Sequence, residues 1–538
     1  MKAKIRLLVS IGLILLLTAG SLVGCGEGAS SDNGANASGT NAEDGNPQIG
    51  DLLTISVATF EGDELLDYPM VQAAQEKFNI RFEIETIPWD GWTERVNTMV
   101  AGNNLPDMLA WYDMNYGTYI NWSQRGVFKE IPSLDPYPNI SNIYEPIDDL
   151  MKNFEVGGKI YAMPKTINRN PINDIDNMFY TYRRDWAVAM GYDYDRVQTV
   201  TFDEFMQFLI DVKENDPGQL GDKLIPLDSG GGWEDIWGIA MLWNPYIMRY
   251  VQIDGEYKWG AALPESIDML KGFQEMYNAG LLAKDFYTYS LGEGEKRFLE
   301  GRTAVLNQFP GIYNMQDNIM KLKQIVPGFT ADDYGVLLVE SPDGRVKIYE
   351  KMQYWAGYAY SADIDDAKLE RMMMLNDWVL SDEGVEFMAY GVYGEDWERD
   401  GDEIILHWPK NEEGEYDLNR ENGKNYIRDE FDFFKWFRLE GDDVWLPGNP
   451  FYEQDVKDLY IRAKEELEPI TDVIPTDWKA EFLQTPNKMK YGAFEDEIKN
   501  EMAKIIVSST NIEDDWNSWI ESMSSKVNAV LEELNNME

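Results

Sequence analysis

Several tryptophans lie where a ligand could reach them, at the end of a predicted strand or beside glycines. Trp111 ends a predicted strand close to Asp113. Trp233 follows three consecutive glycines, Trp237 comes four residues later, and Trp355 lies two residues before a glycine. Flat aromatic faces pack against the C–H faces of sugar rings, while nearby polar side chains bond the hydroxyl groups. This combination favours a carbohydrate ligand, with packing in the core as the alternative for each ring.

The inventory of reactive side chains excludes several kinds of catalysis. The 538 residues contain one cysteine and one histidine, His407, whose role the sequence leaves open. One cysteine forms no intrachain disulfide and no thiolate metal site, and one histidine excludes multi-histidine zinc sites and most histidine relays. The sequence has no G-x-S-x-G, P-loop, dinucleotide-binding or H-E-x-x-H motif. We therefore predict no catalytic residue, no metal site and no cofactor.

Closely spaced aspartates are the remaining candidates for a metal site. These aspartates are Asp193, Asp195, Asp363, Asp365 and Asp366. Their segments lack the glycine and the terminal glutamate of an EF-type calcium loop, so we interpret these side chains as solvated acids at helix starts. Paired carboxylates could also hydrolyse glycosidic bonds. With 96 acidic residues, however, any such pair arises by chance.

The charge of the chain restricts its partners. With 96 acidic and 47 basic residues, the formal net charge is −49. A chain this acidic repels nucleic-acid phosphates and anionic lipid headgroups. We therefore predict no nucleic-acid partner and no electrostatic binding to a membrane surface.

The N-terminus has the pattern of a secretory signal. Lys2, Lys4 and Arg6 precede an apolar run over residues 7–17. This run is too short to span a bilayer, which needs about 20 apolar residues. A basic segment followed by a short apolar segment is typical of a signal peptide.

The end of this signal resembles the bacterial lipobox, Leu-Val-Gly-Cys, with its cysteine at Cys25. We therefore predict a signal peptide over residues 1–24 and a lipid anchor, including palmitate, on Cys25. An acidic body needs more than one acyl chain for stable anchoring. Residues 25–50 are rich in Gly, Ser, Asn and Asp and are predicted to form a flexible linker.

Alternating apolar residues predict how the body begins. Strands are predicted around residues 53–57, 80–84 and 108–111, and amphipathic helices lie between them. Strands and helices in alternation predict a parallel sheet with right-handed crossovers. Ligands of such sheets bind beyond the carboxyl ends of the strands, which points to residues 60–63 and 111–115.

Helices are predicted in the middle and at the end of the chain. Thr201 and Glu204 form a capping box, and Pro264 and Gly280 bound a second amphipathic helix. Apolar residues at helical spacing from Trp516 to Leu531 predict a C-terminal helix docked on the body.

The body resembles the extracellular solute-binding proteins of bacterial ABC importers, in particular the carbohydrate-type group and its large Gram-positive lipoproteins. The segments that carry this resemblance are AGNNLPDMLAWYD (101–113), QRGVFKEIPSL (124–134), GGKIYAMPK (157–165), MFYTYRRDWAVAMGY (178–192), FLEGRTAV (298–305) and SDEGVEFMAYGVYGEDWERDGD (381–402). Each segment is weak evidence alone, but their order and spacing are specific.

The resemblance implies an α/β, periplasmic-binding-protein-like fold of type II, with two lobes joined by hinge strands around a cleft. The expected division is residues 51–165 and 293–355 in the first lobe, and 166–292 and 356–538 in the second. It also implies a monomer without catalytic activity on the outer face of the cell membrane. This protein would bind a carbohydrate, expected to be an oligosaccharide, and deliver it to a membrane permease.

Ligand contacts are carried over from the family by position. The loop after PDMLA implies Trp111 and Asp113, with Tyr112 or Asn115 as replacements for Asp113. The segment after GRTAVLN implies three further contacts, Gln308, Phe309 and Tyr313. Trp233, Trp237 and Trp355 are added from composition and chain context alone.

Three other functions remain open at this stage. A cell-surface lipoprotein acting on glycosides would release products and need a pair of carboxylates. A peptide-binding importer component would share the fold but bind no glycan. An adhesion or scaffold protein would bind a protein partner and no small ligand.

Overall fold

The computed structural model describes most of the body of the chain. The described residues are 50–59, 66, 69–88, 91–111, 114–165, 180–230, 237–288, 292–308, 311–349, 354, 356–401, 403–410, 414 and 452–536. The predicted signal peptide, Cys25 and nearly all of the predicted linker lie outside them.

Eighteen strands are formed by the described residues. They are β1 (Leu53–Thr59), β2 (Ile80–Thr86), β3 (Met108–Trp111), β4 (Glu155–Val156), β5 (Lys159–Ile160), β6 (Ala162–Lys165), β7 (Tyr180–Arg183), β8 (Val197–Val200), β9 (Ile225–Ser229), β10 (Tyr250–Ile253), β11 (Glu256–Trp259), β12 (Thr303–Asn307), β13 (Tyr334–Val339), β14 (Val346–Tyr349), β15 (Ala356–Tyr360), β16 (Trp397–Asp400), β17 (Glu403–Leu406) and β18 (Thr471–Ile474).

The α-helices of the described residues are numbered in the same way. They are α1 (Pro69–Phe78), α2 (Trp92–Ala101), α3 (Tyr116–Gln124), α4 (Pro138–Tyr144), α5 (Asp148–Asn153), α6 (Arg184–Ala189), α7 (Phe202–Asn215), α8 (Trp237–Ala240), α9 (Glu265–Ala279), α10 (Glu293–Leu299), α11 (Ile312–Ile325), α12 (Asp366–Val379), α13 (Asp382–Tyr390), α14 (Gln454–Leu467), α15 (Trp478–Phe482), α16 (Pro486–Tyr491), α17 (Glu495–Ser508) and α18 (Ile512–Asn535).

Sheet one has the strand order β2-β1-β3-β15-β6. β1, β2 and β3 are parallel, as the sequence predicts, and β15 runs antiparallel to both β3 and β6. Ile80 and Phe82 of β2 are buried while Arg81 and Glu83 are exposed, because successive side chains of a strand point to opposite faces. Helices α1 to α5 and α12 contribute buried residues to the core around this sheet, and we call the assembly lobe one.

Sheet two has the strand order β8-β13-β7-β12-β9. β7 is antiparallel to β12 and β13, and the pairs β12–β9 and β13–β8 are parallel. One face of the sheet is covered by α7, α9, α17 and α18, and the other by α11 and α14. We call this assembly lobe two.

The strand pairing differs from the division expected from the sequence. The segment 293–355 was expected in lobe one, but β12 and β13 pair with β7, β8 and β9 in sheet two. The segment from 356 onward was expected in lobe two, but β15 is a strand of sheet one, and α12 packs in its core. The chain returns to lobe two at α14. β6 ends at Lys165 in sheet one, and β7, the next described strand, belongs to sheet two. The hinge crossing expected between them stays a prediction.

The predicted helix boundaries agree with the structure. Thr201 accepts a hydrogen bond from the backbone of Glu204, whose side chain bonds back to Thr201, so the capping box starts α7. Gly280 ends α9 with φ +67°, a left-handed conformation that favours glycine. The C-terminal helix α18 docks on lobe two through Trp516 and other apolar residues, as expected.

Within the described residues, no helix is both long enough and apolar enough to cross a membrane. No group of three or more His, Cys, Asp or Glu side chains in the same part of the chain is arranged to hold a metal ion. Asp365 caps the start of α12 by accepting a hydrogen bond from the Ala367 amide at 2.8 Å, as expected for an acid at a helix start.

Candidate functional site

The carboxyl ends of the parallel strands in sheet one form one edge, which we call the first edge. β1, β2 and β3 end there at Thr59, Thr86 and Trp111. β15 runs in the opposite direction and therefore begins at this edge, where Ala356 lies opposite Lys165, the last residue of β6.

The corresponding edge of sheet two is called the second edge. β9, β12 and β13 end there at Ser229, Asn307 and Val339. The antiparallel strand β7 begins there, with Tyr180 in register with Asn307. Ser229 and Asn307, which end β9 and β12 at the second edge, are polar and buried.

Two passages of the chain between the lobes join these edges. The chain leaves sheet one at the end of β6 and enters sheet two at the start of β7. It later passes from the end of β13, through β14, to the start of β15. Both edges therefore lie where the lobes are connected, which is also the side on which α/β sheets bind ligands.

Gln308 follows directly after β12 and belongs to a buried polar chain at the second edge. Its Oε1 accepts a hydrogen bond from Asn318 Nδ2 at 3.4 Å, and the same nitrogen lies 3.3 Å from Tyr334 Oη. Asn318 and Tyr334 are fully buried, and Gln308 is 9% exposed. Burial raises the pKa of Tyr334 far above its usual value, so its hydroxyl stays protonated.

Glycines allow close packing at the second edge. A Cβ at Gly230 would lie 2.9 Å from Gln308 Cγ, and a Cβ at Gly238 would lie 2.7 Å from the Asn307 carboxamide. The backbone of Gly230 also donates a hydrogen bond to the Asn307 carbonyl at 2.8 Å. Larger residues at these two glycines would displace the polar side chains of the edge.

Arg297 on α10 is surrounded by acids beside the second edge. Its guanidinium nitrogens lie 3.6 Å from Asp228, 2.9 Å from Asp285 and 3.5 Å from Glu293. Burial opposes ionisation of Asp285, but the hydrogen bond and charge of Arg297 outweigh it and hold the pKa of this carboxyl below its usual value. The positive charge of Arg297 is therefore compensated within the protein.

Phe482 on α15 connects the two lobes beside the first edge. Its ring lies 4.8 Å from that of Tyr116 and 6.0 Å from that of Tyr354, both in lobe one. The preceding residues are held by lobe two, because Arg249 donates to Thr476 at 3.0 Å and Tyr257 donates to Asp477.

Trp111 ends β3 at the first edge, but its ring is buried. It is 4% exposed, stacks on Trp122 at 5.3 Å and lies 5.7 Å from Phe128. The ring therefore contributes to the core of lobe one. A contact with ligand stays a prediction for this residue.

Some of the other predicted ligand contacts lie within the described residues and some lie outside them. Gln308 lies at the second edge; α8 begins with Trp237, and Tyr313 is the second residue of α11, so the backbone places both close to that edge. The Asn115 side chain caps α3 by accepting from the Thr118 amide at 2.9 Å. Five predicted contacts lie outside the described residues, namely Tyr112, Asp113, Trp233, Phe309 and Trp355.

The sequence did not point to Asn307, Asn318 or Ser229. All three are buried polar residues, and such residues need hydrogen-bond partners or a ligand. The signal was weak, because a polar residue at the end of a strand, such as Asn307 or Ser229, usually faces solvent. Asn318 lies within a helix and meets Gln308 only after folding.

Comparison with known proteins finds similarity to proteins that are named for binding solutes. Residues 69–328 match the family model described as bacterial extracellular solute-binding protein. Lipoprotein LipO of Bacillus subtilis is 25% identical over 244 residues, which cover 44% of this chain and 46% of LipO. The polygalacturonan/rhamnogalacturonan-binding protein YtcQ of the same organism is 21% identical over 464 residues, covering 82% of this chain and 80% of YtcQ.

A solved structure shows the same architecture. The S. pneumoniae ABC-transporter substrate-binding protein FusA, in complex with kestose, aligns with a TM-score of 0.66 at 16% identity. The alignment covers 90% of this chain and 99% of FusA. The chain therefore has the periplasmic-binding-protein-like fold, and its resemblance to bacterial extracellular solute-binding proteins is confirmed.

Proposed function

We propose that this chain is the substrate-binding component of an ABC importer and captures an oligosaccharide between its two lobes. The observation that carries the proposal is the second edge, where Asn307 and Gln308 end a strand beside both lobe connections. Directed amide groups of this kind bond the hydroxyl groups of sugars. The names of YtcQ and FusA give the same ligand class for proteins of similar sequence or fold.

The ligand contacts we propose combine both edges. The aromatic residues of the set would pack their ring faces on the sugar. The polar residues, Asp113 and Gln308, would bond its hydroxyl groups. The proposed residues are Trp111, Tyr112, Asp113, Trp233, Trp237, Gln308, Phe309, Tyr313 and Trp355. Closure of the lobes on the ligand is a hinge motion, since a ligand that contacts both lobes stabilises the closed state.

The proposal includes binding without catalysis. The family model and the solved neighbour are both named for solute or substrate binding. The protein would release the sugar unchanged to a membrane permease and would act as a monomer. Incubation with an oligosaccharide followed by mass analysis should return the ligand intact; shortened products would indicate a glycoside-active enzyme.

Binding is tested by titration calorimetry on the chain that lacks residues 1–25. A glycan panel should contain neutral oligosaccharides of several lengths, uronate oligosaccharides and a peptide mixture. We expect saturable binding of at least one oligosaccharide. Binding of the peptides alone would replace the proposed ligand class with peptides, and a response to neither would contradict an importer of sugars.

We also propose that Cys25 carries lipid and anchors the protein to the outer face of the cell membrane. The lipobox pattern supports this, and the relative LipO is named as a lipoprotein. Metabolic labelling with an alkyne-tagged palmitate should label the wild-type chain. Cys25→Ser should abolish the label and release the protein from the membrane fraction; retention of the label would contradict the assignment.

A further inference from the structure

Asn318 on α11 is fully buried and donates through one nitrogen to two acceptors. Its Nδ2 lies 3.4 Å from Gln308 Oε1 and 3.3 Å from Tyr334 Oη. Its own Oδ1 is buried and has no hydrogen-bond partner. If the Asn318 carboxamide were turned over, its two N–H donors would lack acceptors, whereas in the observed orientation only the carbonyl oxygen lacks a donor. A buried N–H without a partner is rarer than a buried carbonyl without one and costs more free energy. The observed orientation is therefore the favoured one.

Packing against Gly230 fixes the aliphatic part of the Gln308 side chain, so the hydrogen bonds of the terminal carboxamide decide which way it faces. The aliphatic carbons of Gln308 pack over Gly230. If Gly230 carried a Cβ, that atom would lie 3.2 Å from Gln308 Cβ, 2.9 Å from Cγ and 3.4 Å from Cδ. Its Oε1 is occupied by Asn318. Among the described residues, no hydrogen bond is made by its Nε2, so both N–H donors remain available at the second edge.

We propose that Asn318 is a positioning residue, which holds the Gln308 carboxamide so that its Nε2 donors, and not its oxygen, are presented to the ligand. The inference rests on the proposed function and deepens it. Gln308 then recognises an oxygen of the sugar that accepts a hydrogen bond. Asn318 itself touches no ligand and acts only through Gln308.

Asn318→Asp tests the proposal because it reverses the polarity of the pair. An ionised aspartate accepts but does not donate, so, at a pH high enough to ionise it, it bonds Gln308 Nε2 and turns Gln308 Oε1 outward. For the oligosaccharide that the wild type binds, we expect Kd to rise by up to about tenfold, because the contacted hydroxyl must give up a hydrogen bond that it donates elsewhere in order to donate to Gln308 Oε1. In the Gln308→Ala background, Asn318→Asp should cause no further change in Kd.

Analogues of the ligand give a readout that a loss of stability alone does not change. One hydroxyl group at a time is replaced by fluorine, which accepts a hydrogen bond but does not donate one, or by hydrogen, which neither accepts nor donates one. At the position that Gln308 contacts, the wild type should bind the fluoro analogue more tightly than the deoxy analogue. Asn318→Asp should bind both equally weakly, since neither analogue donates to the outward oxygen.

The chain offers a matched control in lobe one. Asn376 on α12 is also fully buried, its Nδ2 also donates to a buried tyrosine, Tyr358, and its Oδ1 also lacks a partner. Asn376→Asp therefore introduces the same buried carboxylate away from Gln308. It should lower the melting temperature as Asn318→Asp does, with Kd and analogue preference unchanged.

Each outcome decides a separate point. If the wild type binds no oligosaccharide, the proposed function fails and this inference with it. If the wild type binds but Asn318→Asp and Asn376→Asp have the same Kd, the positioning role is overturned while the proposed function stands. Should Asn318→Asp not fold, the Gln308 side-chain amide resonances of the wild type, assigned with Gln308→Ala, must shift when ligand is added; unchanged resonances overturn the proposal.

Discussion

The end of β3 at the first edge and the ends of β9 and β12 at the second edge carry different kinds of side chain. At the first edge, β3 ends in Trp111, whose ring is packed against Trp122 in an apolar core. At the second edge, β9 and β12 end in Ser229 and Asn307, followed by Gln308, and these side chains are buried and polar. Packed apolar side chains determine the shape of a binding surface. Buried donors and acceptors that cannot move determine the direction in which a ligand must form its hydrogen bonds. Preference among sugar hydroxyls should therefore depend more on lobe two.

The largest expected effect is at the first edge. Trp111→Ala removes a buried ring and should lower the free energy of unfolding by about 3–5 kcal/mol, the range for large aromatic truncations in cores. Urea denaturation measures this loss. If Trp111 also contacts the ligand, Trp111→Phe, which keeps much of the packing, should weaken sugar binding; an unchanged Kd in a folded Trp111→Phe would remove it from the site.

The close packing at the second edge is tested next. Gly238→Ala places a Cβ 2.7 Å from the Asn307 carboxamide, so this side chain must move. We expect a loss of about 1–3 kcal/mol in unfolding free energy, typical of overpacking, together with weaker sugar binding. Gly255→Ala is the control without a steric clash, because a Cβ at Gly255 would meet no atom within 4 Å. The φ of Gly255 is +84°, so any loss of unfolding free energy in this variant comes from backbone strain alone.

Gln308→Ala tests whether this side chain contributes to binding as well as to stability. The substitution leaves a buried N–H of Asn318 without its Gln308 acceptor, so the free energy of unfolding should fall by about 1–3 kcal/mol. Kd should rise about tenfold through the lost hydrogen bond to the ligand. Calorimetry and thermal denaturation on the same preparation measure both. A large loss of stability with an unchanged Kd would make Gln308 a packing residue and remove the contrast between the edges.

The smallest expected effect concerns Asp285 and pH. Because Arg297 holds the pKa of Asp285 below its unfolded value, their pairing stabilises the fold fully above the unfolded pKa, and the contribution is lost as pH falls through the folded pKa. Asp285 is more than half exposed, so the pair contributes less than about 1 kcal/mol. The difference in stability between wild type and Asp285→Asn should be present at neutral pH and vanish in acid; a difference that grows in acid would contradict this pairing.

The fold was predictable where the chain pattern is local. The strands β1 to β3, the Thr201 capping box and the apolar stripe of α18 follow from local sequence patterns, and all were predicted correctly. The lobe assignment of 293–355 was wrong, because β12 and β13 are apolar strands that fit either sheet. Which sheet they join is decided by pairing with β7, more than a hundred residues earlier, and local periodicity contains no such information.

The candidate site was predictable to a smaller extent. Gln308 was proposed because it follows a segment that resembles the family, and it does lie at the second edge. Its partner Asn318 was missed, because an asparagine inside a helix has the same sequence pattern whether it bonds water or a buried side chain. A position at the end of a strand did not predict exposure for Trp111, since its ring is 4% exposed.

Hydrogen exchange, measured by mass spectrometry with and without the bound oligosaccharide, tests the central claim most directly. If the ligand lies between the lobes, exchange should slow at both edges, in residues 108–118 of lobe one and in residues 225–240 and 303–313 of lobe two. A contradicting result is protection in one lobe only. Protection confined to the surface groove between α17 and α18, lined by Lys504, Ser508 and Trp519, would equally refute binding between the lobes.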